Sequence, residues 1–473
     1  MKGGTFRSLR HYNYRLWFFG SLVSNVGNWA QSTALSWTVL TVLTDGDAAA
    51  MGISMALQFG PPLLLVSVTG WVADRFHRRN LLLVTQGALG TVSLLIGILL
   101  LCGVMTLPLI FVLAFFFGVA TAFDNPTRQA FVSDLVGRDN ASNAVALNSS
   151  AFNAARLIGP AAAGLGIIWV GPGWVILISA MTYLATITVL LLMRRAELVP
   201  RVRAPGVQRF MDGFRYVRGR GDLLALFAMV FVVGAFGMNF PIFASTMALE
   251  FGHDADGFGL LTSILAIGSL VGSLLAARRA KARMRVAIAA ALLFGVAIGV
   301  SALMPTFWSY AAVCVVVGFA VITMLTTANG YVQTTTDPIL RGRVLAIYMA
   351  LMMGGTVIGA PIVGWVAAQA GPRAAILVGS AAGFVAFAIG LIWFLASGRV
   401  RRSAEGGFRV AVTATRPIPL IVAPEEFSDQ VVQATPIWEE PEDELPEEPA
   451  EPASGPRDEP LKLRHVPRTE LLD

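Results

Sequence analysis

Three charged side chains, Asp124, Arg128 and Arg156, stand inside long apolar runs. A charge at the centre of a bilayer costs about 2.5–3.5 kcal/mol on insertion scales, so such residues usually face an interior or a water path. Asp124 is the one acid well inside an apolar run. A carboxylate there could take up and release a proton, or hold a cationic substrate. Phe117, Thr121, Asp124 and Arg128 follow a 4-3-4 spacing and share one helix face. The plainer alternative is an intrahelical Asp124–Arg128 pair at a membrane edge that only neutralises itself.

Arg156 precedes Pro160 by four residues. A proline lacks the N–H, and its ring crowds the carbonyl four residues back, which belongs to Arg156. A kink is expected, with a freed carbonyl beside a cation. Ser149, Asn153, Arg156 and Pro160 share the face expected to line the interior. Gly159 and Gly164, with alanines between, allow close helix packing. The structural alternative is a packed kink in which Arg156 reaches a buried carbonyl or Asp124. Further polar residues point to the same interior: Ser21, Asn25, Asn28 and Ser32 at 4-3-4 spacing, then Asn239, Asn329 and Gln333. With Trp29, Phe236, Met238, Phe240 and Met352 nearby, the interior would be mainly apolar with a few polar anchors. That suits amphipathic molecules of moderate size. The aromatic residues could equally face lipid.

The elements that must position these groups follow from composition. Hydrophobic residues make up 55% of the 473 positions and charged residues 14%, against about 25% charged in ordinary soluble domains. A spanning helix needs roughly 20 apolar residues. Twelve such segments are read, centred near residues 28, 60, 91, 118, 157, 183, 236, 267, 294, 320, 355 and 384. The expected fold is an all-α polytopic membrane protein with twelve transmembrane helices in two six-helix, pseudo-symmetric halves. The first run is long enough to span and has no convincing small-residue cleavage site, so it reads as an uncleaved helix. Cys102 and Cys314 fall inside spans, and no disulfide is expected.

Basic residues set the expected orientation. With the N-terminus inside, the inner segments take Arg75, Arg78, Arg79, Arg138, the arginines from Arg194 to Arg220 and those of the later even-to-odd turns. The outer loops hold Arg373 alone. This is the positive-inside pattern. Both termini are expected in the cytoplasm of a cell held by its inner membrane, and the net charge of +6 reads as a topology signal, with no nucleic-acid partner implied.

The chain also repeats. FRSLRHYNYRLWF at Phe6 is echoed by FRYVRGRGDLLALF at Phe214, ADRFHRR by AARRAKARMR, and IGPAAAGL at Ile158 by IGAPIVGW at Ile358. Parallel six-span repeats are typical of secondary transporters, with the substrate site between the halves near the midplane. The expected organisation is an N-terminal half over 1–193, a linker over 194–220, a C-terminal half over 221–397 and a tail over 398–473. The tail is acidic and Pro-rich, so it is expected to be disordered.

GWVADRFHRR, residues 70–79, resembles the loop between helices two and three of the major facilitator superfamily. Gly70, Asp74, Arg75, Arg78 and Arg79 match its pattern, while His77 stands where Gly is common. RLIGPAAAGL resembles the superfamily's antiporter motif, carried here by Arg156, Gly159, Pro160 and Gly164. NPTRQAFVSDLVGRDNASNAVALNSSAFNAARLIGP, residues 125–160, is similar to the subgroup of the enterobactin exporter and macrolide efflux proteins. The resemblance covers about residues 5–397. It implies an inner latch at the 70–79 loop and exchange of substrate for protons. A carboxylate at Asp74 near a helix N-terminus would gain roughly 0.3–1 kcal/mol from its dipole.

The expected function is a proton-coupled exporter of a small amphipathic compound, working as a monomer in the lipid bilayer. Two alternatives stay open: an uptake carrier or uniporter on the same fold, and a membrane sensor that moves nothing. No enzyme activity, metal or cofactor is expected. The missing GxxxxGK[ST] loop argues against an ATP-driven pump.

Overall fold

The computed structural model describes residues 6–197, 210–277, 282–337 and 340–397, with two short strands beyond. Among the described residues, ten helices are long and apolar enough to cross a membrane. They are the third span (Arg78–Leu101), fourth (Leu107–Asp134), fifth (Arg138–Val170), sixth (Pro172–Leu192), seventh (Gly221–Glu250), eighth (Ala255–Ala277), ninth (Met284–Ala302), tenth (Phe307–Thr335), eleventh (Arg341–Ala370) and twelfth (Pro372–Ala396).

Two further helices complete the set of twelve. The first span (Tyr12–Trp37) is 26 residues long, but Ser21, Ser24, Asn25, Asn28 and Gln31 dilute its apolar character. The second is interrupted at Leu65, between Ala48–Leu64 and Val66–Arg75. Pro61 and Pro62 explain the interruption, because neither donates to the helix ladder. The twelve-helix reading therefore holds, and the two weakest spans are weak for separate reasons, polarity and proline.

Each half packs as the repeat implies. In the first half, the first span lies against the fifth and sixth, and the fourth against the second and third. In the second, the eighth lies against the tenth, and the ninth against the tenth and twelfth. The halves meet along two lines, the second span on the eleventh and the fifth on the eighth. One segment departs from the expected all-helical chain. Val400–Arg402 pairs antiparallel with Phe408–Val410, in a stretch where disorder was expected. Its β-branched and aromatic residues favour strand. The rest of the tail, 411–473, lies outside the described residues.

The seams explain the two echoed motifs. At the end of the bundle away from the termini, glycines let the halves touch backbone to backbone. A Cβ at Gly259 would stand 2.5 Å from the carbonyl oxygen of Pro160, and one at Gly164 2.6 Å from that of Ala255. The other seam repeats the arrangement, with Gly52 on the carbonyl of Ala360 and Gly364 on that of Ala48. In the echoed motifs Pro160 aligns with Ala360 and Gly164 with Gly364, so the repeat visible in sequence is a repeat of contacts. Trp37 stacks on Phe258, ring centroids 6.1 Å apart, across the same end. The fifth span stays helical through Pro160, from Arg138 to Val170.

Candidate functional site

The third, fourth and first spans bring polar groups together inside the first half. Asp124 is 3% exposed. Its Oδ1 accepts from the Thr85 hydroxyl and from Gln86 Nε2, both at 2.7 Å. Its Oδ2 accepts from Arg128 Nε at 3.1 Å, one helical turn on. Arg128 also lies over the Trp17 ring, 5.5 Å from the centroid, and reaches Ser24 Oγ at 3.4 Å. The Asp124–Arg128 pairing expected from spacing is thus present, but three helices hold it. Three groups share one carboxylate, which is how a buried charge is made tolerable.

A second cluster sits beside it. Tyr183 of the sixth span donates to Asn28 Oδ1 at 3.2 Å and to Gln31 Oε1 at 3.3 Å, and Ser93 donates to the same Gln31 oxygen at 2.7 Å. Gln31 Nε2 and Gln86 Oε1 are buried without a partner among the described residues. Thr85, Gln86, Ser93, Gln31 and Tyr183 did not emerge from sequence patterning. The available signal was the presence of two glutamines, Gln31 and Gln86, within spans, where an unpaired amide is costly.

Arg156 does not join Asp124. Its guanidinium lies over the Trp29 ring, 5.6 Å from the centroid, and makes no hydrogen bond or ion pair with another described residue. The carbonyl-bound or Asp124-bound arginine of the structural alternative is absent among the described residues. Gly159 explains the closeness of Trp29, since a Cβ there would stand 2.6 Å from the Trp29 Cβ. Asn153 is turned back onto its own helix, donating to the Ser149 carbonyl at 2.9 Å. Asn25, one turn before Trp29, has no hydrogen-bond partner among the described residues.

Asn239 stands apart from these groups. It is fully buried where the seventh span breaks after a π-helical turn (Val233–Gly237), and its Nδ2 donates to the Ala235 carbonyl at 2.6 Å. Asn329 and Gln333 bond to one another on an exposed face of the tenth span. Of the apolar residues expected around the interior, Phe240 is buried, while Phe236, Met238 and Met352 are partly buried.

The loop after the second span divides into parts with different surroundings. Arg79 is buried and donates from Nε to the Leu190 carbonyl at 2.6 Å. Arg78 pairs with Asp134 and donates to the Ala130 carbonyl at 3.0 Å. Arg75 is exposed. Gly70 and Asp74 occupy the helix Val66–Arg75, and the Asp74 side chain lies outside the described residues.

The charged groups are distributed unevenly between the halves. Gly118 and Gly318 hold equivalent seats, on the carbonyls of Gln58 and Leu265. By that match Asp124 corresponds to Met324 and Arg128 to Ala328, both buried and apolar. Among the described residues, the buried ion pair of the first half has no counterpart at the matching positions of the second.

Two six-helix halves, related by repeated seams and with a charged polar network inside the first, define a major-facilitator membrane transporter, which is not an enzyme. The chain belongs to the transmembrane secretion effector family, which it matches over residues 3–404. It is 26% identical over 364 residues to the enterobactin exporter EntS of Salmonella choleraesuis, covering 74% of this chain and 84% of that protein. The Escherichia coli O157:H7 exporter gives the same figures. The fold is similar to that of a bacterial homolog of the human lysosomal transporter Spinster in an inward-facing, unoccupied conformation, with TM-score 0.64, 13% identity and coverage of 81% and 97% of the two chains. It is also similar to a D-xylose–proton symporter, with TM-score 0.63, 14% identity and coverage of 79% and 97%.

Proposed function

We propose that this protein exports a small amphipathic compound, drug- or siderophore-like, in exchange for protons. The single observation that carries the proton part is Asp124, a buried carboxylate with three exchangeable partners. A movement that carries Thr85, Gln86 or Arg128 away from it would change the partners of that carboxylate, and proton exchange would then follow conformation. The efflux part rests on family membership and on the likeness to exporters of enterobactin.

In this reading the halves rock about the fixed network, alternating access to either side. Both termini and the basic turns lie in the cytoplasm of a cell enclosed by this inner membrane, a reading supported by the distribution of arginines. Gly70, Asp74, Arg75, Arg78 and Arg79 form the inner latch. Arg156, Gly159, Pro160 and Gly164 seat the fifth span on its neighbours as the halves move. The working unit is a monomer.

Uptake on the same fold has one supporting observation, the likeness to a D-xylose–proton symporter, since fold does not fix direction. Everted vesicles separate the readings. Substrate accumulation in them under an acid-inside gradient is the expected result. Accumulation only in whole cells supports uptake, and no flux in either would leave a sensor.

A further inference from the structure

Arg156 breaks the repeat in a way that packing does not require. Three residues before Gly159 stands Arg156, and three before Gly359, its partner in the echoed motif, stands Thr356. Thr356 is satisfied: its hydroxyl donates to the Gly234 carbonyl at 3.0 Å. Gly359 in turn packs on the neighbouring Ala235 backbone. A short hydroxyl therefore serves the seat in the second half, and the first half places a cation there at considerable cost.

The position faces inward. Ile158 and Leu165, on the opposite side of the fifth span, are 52% and 50% exposed, as lipid-facing residues are. On the Arg156 side, Gly159 meets the first span, and Ser263 of the eighth donates to the Leu157 carbonyl at 2.9 Å. Arg156 thus lies between the two halves. Its surroundings hold unused donors and aromatic surface. Trp29 Nε1 is buried without a partner among the described residues. Asn25 is free one turn away, and Phe152, 42% exposed, packs edge-on against Trp29 at 5.8 Å. Asp124, the buried acid of this half, is already engaged by Thr85, Gln86 and Arg128.

We infer that Arg156 is the anchor for an acidic group on the transported compound. The ligand class is an amphipathic organic anion, with a carboxylate or similar acid beside an aromatic body. The guanidinium offers paired N–H donors that match a carboxylate. The indole of Trp29 backs the cation, and Phe152 offers apolar surface for the ligand body. This inference rests on the transport reading above and narrows its substrate class.

The test uses the purified full-length protein in nanodiscs, with calorimetric titration of 2-naphthoate and its neutral isostere 2-naphthamide at pH 7.5. The parental protein is expected to bind the acid about tenfold more tightly than the amide, the margin of a charge-assisted contact. Arg156→Gln should bring the acid to within about twofold of the amide, with an unchanged thermal unfolding midpoint reporting an intact fold. Arg156→Lys should keep part of the preference. Equal binding of acid and amide by the parental protein, no binding of either, or full preference in Arg156→Gln would overturn the assignment. Failure of the export reading shows separately, as absent flux in everted vesicles with the acid preference intact.

Discussion

Gln86 and Thr85 donate to the same oxygen of Asp124, leaving the other oxygen to Arg128 alone. The carboxylate thus has one face bound to neutral donors and one to a cation. Asp124→Asn is expected to abolish efflux driven by an imposed pH gradient in proteoliposomes, while retaining substrate binding. It should also lower thermal stability, because removing one member of a buried pair costs about 3–5 kcal/mol. Asp124→Asn combined with Arg128→Gln should recover stability without recovering coupling. Full proton-driven transport by the double variant would mean that the pair only neutralises itself.

The two arginines after the second span should differ in what they contribute. Arg79→Gln leaves the buried Leu190 carbonyl without its donor and should cost about 1–3 kcal/mol of stability. Arg78→Gln breaks a partly exposed pair and should cost within about 1 kcal/mol. Thermal unfolding in detergent checks both. Equal losses would show that burial does not separate them.

Asp74→Asn is expected to slow transport without reducing the amount of protein in the membrane. The motive is the match of residues 70–79 to the superfamily's inner latch. Initial rates in proteoliposomes, normalised to protein by immunoblot, decide the matter. A well-expressed variant with parental rates would remove the latch.

Gly259→Val should spoil the seam between the fifth and eighth spans, since its Cβ would stand 2.5 Å from the Pro160 oxygen. The population should move towards the state open at that end, by about fivefold for each kcal/mol of lost contact. Labelling of Ala255→Cys by an impermeant maleimide, in a background with Cys102→Ser, reads this directly. Gly60→Ala is the control, because its nearest neighbour, Val357, is 4.0 Å away. Unchanged labelling in Gly259→Val would show that the seam yields without opening.

Much of the architecture is legible in the sequence. Runs of about 20 apolar residues and the arginine-rich turns carry spans and order, and the echo of IGPAAAGL in IGAPIVGW carried the seams. The polar network was only half legible. Spacing along one helix pairs Asp124 with Arg128, because both sit on the same element. It cannot say that Thr85 and Gln86 of another helix close the site, since rotation of one helix against its neighbour leaves no trace in either sequence. Asn239 illustrates the converse. A polar residue in a span was expected to line the interior, but a local break in the seventh span also needs a polar cap, and Asn239 bonds to the Ala235 carbonyl there.

The glycine-on-carbonyl seams also bear on how such a protein can change over generations. A joint made of backbone offers no side chain to adjust, so almost every substitution at Gly52, Gly164, Gly259 or Gly364 adds bulk where there is no room. On the inference that Arg156 anchors the cargo, the walls beside the seams, with Asn25, Trp29 and Phe152, are where substitution is cheap. New cargo would be acquired there one residue at a time while the hinge is inherited intact.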